Sequence, residues 1–297
     1  GASLTYGSGG SPDNFASWMM TWNYTNIRSK SIAGANMEVV KREAVQALGR
    51  PWTRMCPTIN VIRDIFKDKT YDSRYDGTFT TAYHTNWPKG GVTDEYAFNA
   101  NGLKIYPGDA ALTFLDEEPS TAITYPTGTG DSNIGAGTLP GRADYVISPS
   151  GISRIVYPGI WKLGPYRTDN GTGLGQPNAG STRPFSIAKF SELYLIAAEA
   201  AVKGATVKSG KSARELVNVL RARAGIWTWD NNGNKAKVAD YSAEMTAATP
   251  ATITIDYILD ERSREYYGEG FRWFDLVRTQ TWKERAEKYE ICGSSYG

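Results

Sequence analysis

The chain has 297 residues, 40% of them hydrophobic and 22% charged, with a formal net charge of +2. That is enough apolar chain to bury a sizeable core, as one large domain or two packed lobes. The near-neutral balance, with Lys and Arg scattered, leaves no electrostatic footprint for nucleic acid, and no apolar run of about 18 residues exists to span a membrane.

In chain order, the opening GASLTYGSGGSPDN has neither the basic nor the apolar region of a signal peptide. Phe15, Trp18, Met19 and Trp22 then recur at helical spacing, which reads as core packing or, alternatively, as an exposed aromatic platform. Residues 36–48 (NMEVVKREAVQAL) predict a modest helix ending at Gly49. Arg50-Pro51-Trp52 opens a loop, and Thr58 caps a short helix running to about Phe66. Between Lys67 and Pro107, β-branched and aromatic residues alternate with Gly, Asn and Asp, so short strands joined by turns are expected. Residues 119–180 hold 12 Gly and 7 Pro in 62 positions, about double the chain's own frequency, which excludes long helices there. A loop-rich stretch of that length is disordered or functional; its aromatics, Tyr125, Tyr145, Tyr157, Trp161 and Tyr166, argue for order.

Helical patterning takes over from Phe185, interrupted by the polar insert at 229–242. Phe190, Leu193, Tyr194, Ala197 and Ala201 share one helical face, stopped by Gly204. Ser212 is the expected N-cap of a second helix striped by Leu216, Val219 and Leu220, with Arg221 and Arg223 in the last turn before Gly225. The two make an αα-hairpin. A third helix starts near Thr252 or Thr254 and places Ile255, Ile258, Leu259, Arg262 and Tyr266 on one face. Gly268 and Gly270 break it, and a further helix carries Phe271, Phe274, Leu276 and Val277. Glu261, Arg262, Glu265, Glu269, Arg272 and Asp275 interrupt these apolar faces, and charges so placed are expected in hydrogen-bonded pairs.

Catalytic chemistry has few candidates. His84 is the only histidine, no G-x-S-x-G turn accompanies it, and it reads as a solvated loop residue. One His with the distant Cys56 and Cys292 fits no zinc spacing; a Cys56–Cys292 disulfide or two separate thiols both remain open. The Gly-rich segments lack a phosphate-binding pattern. Asp94/Glu95 and Asp116/Glu117/Glu118 could supply glycosidase carboxylates, although acidic loop clusters are usually only solvated. The aromatic excess offers a different use. A sugar ring presents an apolar face for stacking and a rim of hydroxyls for amides and charges. In Tyr83-His84-Thr85-Asn86-Trp87, a strand would put Tyr83 and Trp87 on one face with Asn86 beside them. Trp52 and Tyr96 are the next candidates. Each of these rings is equally readable as core.

Three ordered motifs carry a resemblance: Glu192-Leu-Tyr-Leu-Ile-x-Ala-Glu199-Ala, Asn218-Val-Leu-Arg221-Ala-Arg223-Ala-Gly225, and Glu261-Arg262-x-x-Glu265-x-x-x-Glu269-Gly270-x-Arg272-x-x-Asp275-Leu276-x-Arg278. They are similar to the C-terminal part of SusD/RagB proteins, surface nutrient-binding lipoproteins of Bacteroidetes-type bacteria. The usual Arg before the first motif is Lys189 here. Weaker echoes are Pro57-Thr-x-x-Val-Ile-Arg-Asp64 with Asp72-Ser-Arg74, and Tyr157-Pro-Gly-Ile-Trp-Lys162.

The resemblance implies a mainly α fold of tetratricopeptide-like helical hairpins with a loop-rich lobe containing short β-strands. The expected division is a variable, ligand-binding lobe over 1–180 and a SusD/RagB-type helical region over 181–290. The implied function is non-catalytic binding of oligo- or polysaccharides for delivery to a SusC-like TonB-dependent transporter, with no cofactor. A glycoside hydrolase or lyase, or a peptide-binding scaffold of RagB type, is the alternative. The implied location is the outer-membrane surface, through an N-terminal lipid anchor absent from this chain, which reads as the C-terminal portion of a longer protein. The family offers no universal ligand motif, so Tyr83, Trp87, Asn86, Trp52 and Tyr96 rest on local chemistry.

Overall fold

The structure, a computed structural model, describes residues 20–126, 134–165, 173–175, 186–228 and 238–288, with the backbone of two short strands beyond them. Phe15, Trp18, Met19, Tyr166, Cys292 and most of the 229–242 insert lie outside the described residues. Helix accounts for about 35% and strand for about 15%, so the architecture combines helices with several small sheets and is less dominantly helical than expected. The chain divides into two compact units, Gly1–Ile59 with Phe79–Arg183 and Asn231–Lys235, and Asn60–Thr78 with Pro184–Asp230 and Ala236–Gly297.

The first unit is built of short strands. β1 (Arg28–Lys30) and β2 (Asn36–Glu38) pair antiparallel with Ser29 opposite Met37. β3 (Phe79–Thr80) and β4 (Ala82–His84) follow. The ribbon of β5 (Ala97–Phe98) and β6 (Lys104–Ile105) then extends the first sheet in the order β2-β1-β5-β6. β7 (Ala110–Phe114) lies between β4, antiparallel, and β8 (Tyr145–Ile147), parallel, while β9 (Gly159–Ile160) pairs with β3.

The helix expected over 36–48 does not form. Its first residues are taken by β2, and its backbone groups bond to distant partners: Ala44 N–H donates to the Leu174 carbonyl at 2.8 Å. Asn86 Oδ1 accepts from Lys41 N–H at 2.5 Å while its Nδ2 donates to the Lys41 carbonyl at 3.0 Å. Val39, Val40, Ala44 and Leu48 are buried. The β-branched Val39-Val40 pair has little helix propensity to oppose those contacts. A helical turn does follow Thr58, with π geometry over Val61–Ile65.

An aromatic cluster centres this unit. The Tyr83 ring stacks on Tyr24 at 5.6 Å and meets Trp22 edge-on at 5.3 Å, and Phe114 closes on both Trp22 and Tyr83. The Tyr24 hydroxyl donates to the Gly49 carbonyl at 2.8 Å, and Gly159 N–H donates to Tyr83 Oη at 3.2 Å. Burial raises both phenols well above their ordinary value. A Cβ on Gly159 would stand 2.6 Å from Tyr83 Oη, so only glycine lets that strand approach.

The second unit is helical: α1 (Arg74–Thr78), α2 (Phe190–Val202), α3 (Ala213–Ala224), α4 (Ser242–Ala247), α5 (Ile255–Tyr266), α6 (Phe271–Thr279) and α7 (Trp282–Ala286). Short ribbons β10 (Ile226–Trp227) with β11 (Ala239–Asp240), and β12 (Glu290–Ile291) with β13 (Ser294–Ser295), accompany them. The α2–α3 hairpin forms where expected. Gly204, at φ 89°, ends α2 through bonds from Gly204 N–H to Ala201 and from Ala205 N–H to Ala200, a Schellman closure. Ser212 and Glu215 make a reciprocal capping box at the start of α3, and Thr254 Oγ1 accepts from Tyr257 N–H at the start of α5.

The buried faces are shifted from the expected stripes. Leu195 and Ala198 enter the core, joined by Leu216, Val217, Leu220, Ile258 and Tyr266. Phe190, Leu193, Val219, Phe274 and Val277 are exposed. Spacing alone admits both neighbouring faces of α2. The inward one wins because small Ala198 permits close approach, and because Arg278 holds Glu199 through both Nη1 contacts at 2.7 Å.

The charges on apolar faces are paired. Glu261, fully buried, accepts from Arg74 at 2.7 Å, Arg264 at 2.7 Å and Arg221 at 3.4 Å. Burial alone would raise its carboxyl, but the three guanidinium groups hold it well below the usual carboxylate range. Arg74 is also gripped by Asp72 through two side-chain bonds, and Arg262 Nε bonds Asp275 at 2.7 Å. Arg264 Nη1 reaches the Ile65 carbonyl at 2.9 Å, so segment 60–78 is fastened to α5 by side chains from both.

Candidate functional site

The segment Tyr83–Trp87 borders a cleft in the first unit, though not by the side chains expected. β4 ends at His84, and a β-bulge between Tyr83 and His84 shifts its register against β7. A bulge re-aims side chains locally, and the backbone then turns into a 3₁₀ helix over Trp87–Gly90. The strand geometry that would pair Tyr83 with Trp87 on one face is therefore cut short. Both rings are fully buried, and Trp87 Nε1 donates to the Asp94 carbonyl at 2.9 Å. What borders the cleft instead is His84, Thr85 and Asn86.

Two hollows share Ala82 and His84. One, of about 350 Å³, is polar and bounded by His84, Asp109, Thr113, Arg142 and Asp144. The other, of about 480 Å³, is more apolar and bounded by Val45, Leu48, Pro88 and Pro107, with Glu43 and Lys89 at its edge. His84 Nδ1 lies 2.8 Å from the Gly108 carbonyl. A carbonyl only accepts, so Nδ1 carries the proton and Nε2 is an acceptor; Nε2 has no partner among the described residues.

The walls of the polar hollow are fixed. Arg142 clamps Asp144 with two bonds, at 3.0 and 2.5 Å, and Thr113 Oγ1 donates to the same carboxylate at 2.6 Å. The turn at 106–109 is fastened to Thr85, whose Oγ1 donates to the Tyr106 carbonyl at 2.7 Å and accepts from Gly108 N–H at 2.8 Å. Asp109 Oδ2 accepts from Tyr106 N–H at 2.7 Å. Asn86 spends its amide on Lys41 and on Glu43, at 2.7 Å for the latter, and Lys89 pairs with Glu43. Asn86 thus shapes the cleft wall and has little capacity left for a ligand rim.

Aromatic surface stands beside this cleft on the β5–β6 ribbon. Tyr96 packs edge-on to Phe98 at 5.4 Å and against Tyr106 at 6.2 Å, with Lys104 Nζ 3.8 Å above its ring. Tyr106 is exposed and Tyr96 half-buried. Ile105, between them in sequence, lines the polar hollow. Trp52 lines neither hollow; its ring lies under Arg50 and Arg54. Of the residues singled out from the sequence, Tyr96 is half-buried beside that ribbon and Asn86 borders the cleft; Asp109, Arg142, Asp144 and Tyr106 were not among them. The Tyr106-Pro-Gly-Asp109 turn was the available signal, since Pro-Gly marks the tight turn that brings Asp109 back to Thr85.

The acidic clusters have other occupations. Glu118 accepts from Ser150 N–H and Oγ, and Asp94 from Ile32 N–H. Among the described residues no group of three or more His, Cys, Asp or Glu side chains could hold a metal ion, and no helix is long and apolar enough to cross a membrane.

The chain matches no curated protein. The SusD family model does match it, over residues 156–296. SusD-family proteins bind nutrients or glycans at the cell surface, are generally non-catalytic, and associate with the outer membrane as lipoproteins. That span contains all three helical motifs, so the match to the SusD family covers the C-terminal portion of the chain.

Proposed function

We propose that the chain is a non-catalytic binding protein for oligo- or polysaccharides at the outer-membrane surface, handing its ligand to a SusC-like TonB-dependent transporter. The observation that carries this is the SusD-family match over residues 156–296. On this reading the α2–α3 hairpin is one of several tetratricopeptide-like hairpins forming a scaffold, and a lipid anchor fixes the protein to the membrane.

The ligand site on this reading is the cleft at His84. A sugar needs apolar surface for its C–H face and fixed polar groups for its hydroxyls. Tyr96 and Tyr106 supply the first, while Asp109 and Arg142 supply the second, with Lys104 beside the rings. Tyr83, Trp87 and Asn86 support the cleft from behind. Affinity electrophoresis of the chain through gels carrying a panel of polysaccharides tests the function. Retardation by a subset, with no saccharide released, is expected. Release of shortened sugars would replace binding with hydrolysis, and retention of peptides alone would favour a peptide-binding scaffold.

A further inference from the structure

We propose that the more apolar of the two hollows at His84 is a subsite for an acyl ester group carried on the saccharide, so that the glycan bound is an acylated one. This rests on the reading of the chain as a surface glycan-binding protein and adds the ligand's substituent to it.

Three observations support the subsite. First, the two hollows adjoin and differ in chemistry. Ala82 stands opposite Thr113 and His84 opposite Ala110 in the β4–β7 pairing, and all four line the polar hollow. Ala82 and His84 line the apolar one as well. The His84 ring, fixed by Nδ1 at 2.8 Å from the Gly108 carbonyl, therefore borders both. A sugar in the polar hollow can pass a substituent across His84 to Val45, Leu48, Pro88 and Pro107.

Second, the polar groups around the apolar hollow are already engaged. The Glu43 carboxylate accepts from Asn86 Nδ2 at 2.7 Å and pairs with Lys89, and the rest of the Asn86 amide is spent on Lys41. Thr85 Oγ1 both donates to the Tyr106 carbonyl and accepts from Gly108 N–H. An apolar group entering there strands no donor or acceptor, whereas a bare sugar hydroxyl would lose its water for little in return. In the polar hollow, by contrast, Arg142 Nη1 and Asp109 Oδ1 have no hydrogen-bond partner among the described residues.

Third, the walls are preformed and the volume fits. Ala44 N–H donates to the Leu174 carbonyl at 2.8 Å, Leu48 N–H to the Val45 carbonyl at 3.0 Å, and Thr80 Oγ1 to the Ala47 carbonyl at 2.9 Å. An apolar cavity of about 150 Å³ is enough to hold benzene. The hollow's volume of about 480 Å³ has room for an aromatic acyl group as well as for an acetyl. Val45 is half-buried and Pro88 and Pro107 are exposed, so the mouth opens to solvent.

The test compares acetylated xylan, acetylated glucomannan and feruloylated arabinoxylan, each before and after mild alkaline saponification, by affinity electrophoresis. Wild type is expected to bind at least one esterified polymer about tenfold more tightly than its saponified form, and the polymer that shows the difference identifies a short or an aromatic acyl group. Val45→Asp, which sets a charge on the apolar wall, should bring that ratio close to one. Val45→Thr, of nearly the same shape, should reduce it about threefold and serves if Val45→Asp lowers Tm. Ile155→Asp, at an exposed aliphatic residue lining neither hollow, should leave the ratio unchanged. A wild-type ratio near one, a ratio unchanged in both Val45 variants, or an equal reduction by Ile155→Asp would overturn the subsite. Binding of esterified and saponified polymers alike would sink the subsite and leave the proposed function standing; binding of no polymer in either form would sink both.

Discussion

Arg74 and Glu261 lie 187 residues apart in sequence and meet at 2.7 Å inside the second unit. The pair ties the 60–78 segment to α5, and Glu261 is simultaneously held by Arg221 and Arg264. Removing the carboxylate leaves three guanidinium groups facing one another without their shared anion. Glu261→Gln is expected to destabilise the chain by about 3–5 kcal/mol, the range for breaking a buried ion pair from one side. Denaturant titration measures it; a loss below about 1 kcal/mol would mean that the network contributes little.

The same residue sets a pH dependence. Its folded carboxyl titrates well below the unfolded value of about 4.3. A depressed folded value means stability that is fully present above the unfolded value and lost as pH falls toward the folded one. Wild type should therefore keep this contribution from neutral pH down to about pH 5 and lose it progressively below pH 4. Melting curves from pH 7 to pH 3 should fall more steeply in that acid window for wild type than for Glu261→Gln. Parallel curves would assign acid unfolding to other carboxylates.

Gly225 closes the second family motif for a steric reason. Its φ is an ordinary −76°, but a Cβ there would come within 2.6 Å of the Tyr241 backbone, where Tyr241 N–H donates to the Gly225 carbonyl at 2.8 Å. Gly225→Ala is expected to cost about 1–3 kcal/mol through forced displacement of the Tyr241 backbone. Gly204, in the left-handed region with open space around it, should cost only about 1 kcal/mol when changed to Ala. A larger loss at Gly204 than at Gly225 would contradict the packing described here.

The aromatic residues separate into two classes by burial. Trp87→Ala removes a fully buried indole and should cost about 3–5 kcal/mol, lowering Tm by roughly 6–15 °C for a chain of this size. Tyr106→Ala removes an exposed ring and should leave Tm within about 2 °C while weakening glycan binding. A reversed pattern of Tm changes would move the ligand surface back to Trp87.

Much of the helical unit was readable from the sequence because its signals are local. Ser212 caps a helix, Gly204 ends one, and charges on apolar faces must find partners; each of these holds in the structure. The faces of α2 and α6 were not readable, since Phe190 and Phe274 are apolar yet lie outside the core. The 36–48 segment misled for a related reason. Its composition tolerates a helix, but Asn86 and Leu174 capture its backbone from outside the window. In the candidate site, residue type alone could not separate the buried Tyr83 and Trp87 from the surface Tyr96. The bulge at Tyr83/His84 decides that, and a bulge is a property of strand pairing.

Isothermal titration of the chain with oligosaccharides cut from whichever polysaccharide retards it tests the function most directly, with Tyr106→Ala and Arg142→Ala run beside wild type. Saturable binding without turnover, weakened by about tenfold or more in both variants and with Tm unchanged for Tyr106→Ala, is the result expected of a surface glycan-binding protein whose ligand occupies the His84 cleft. Heat evolved by continuous hydrolysis, or wild-type affinity in both variants, would contradict it.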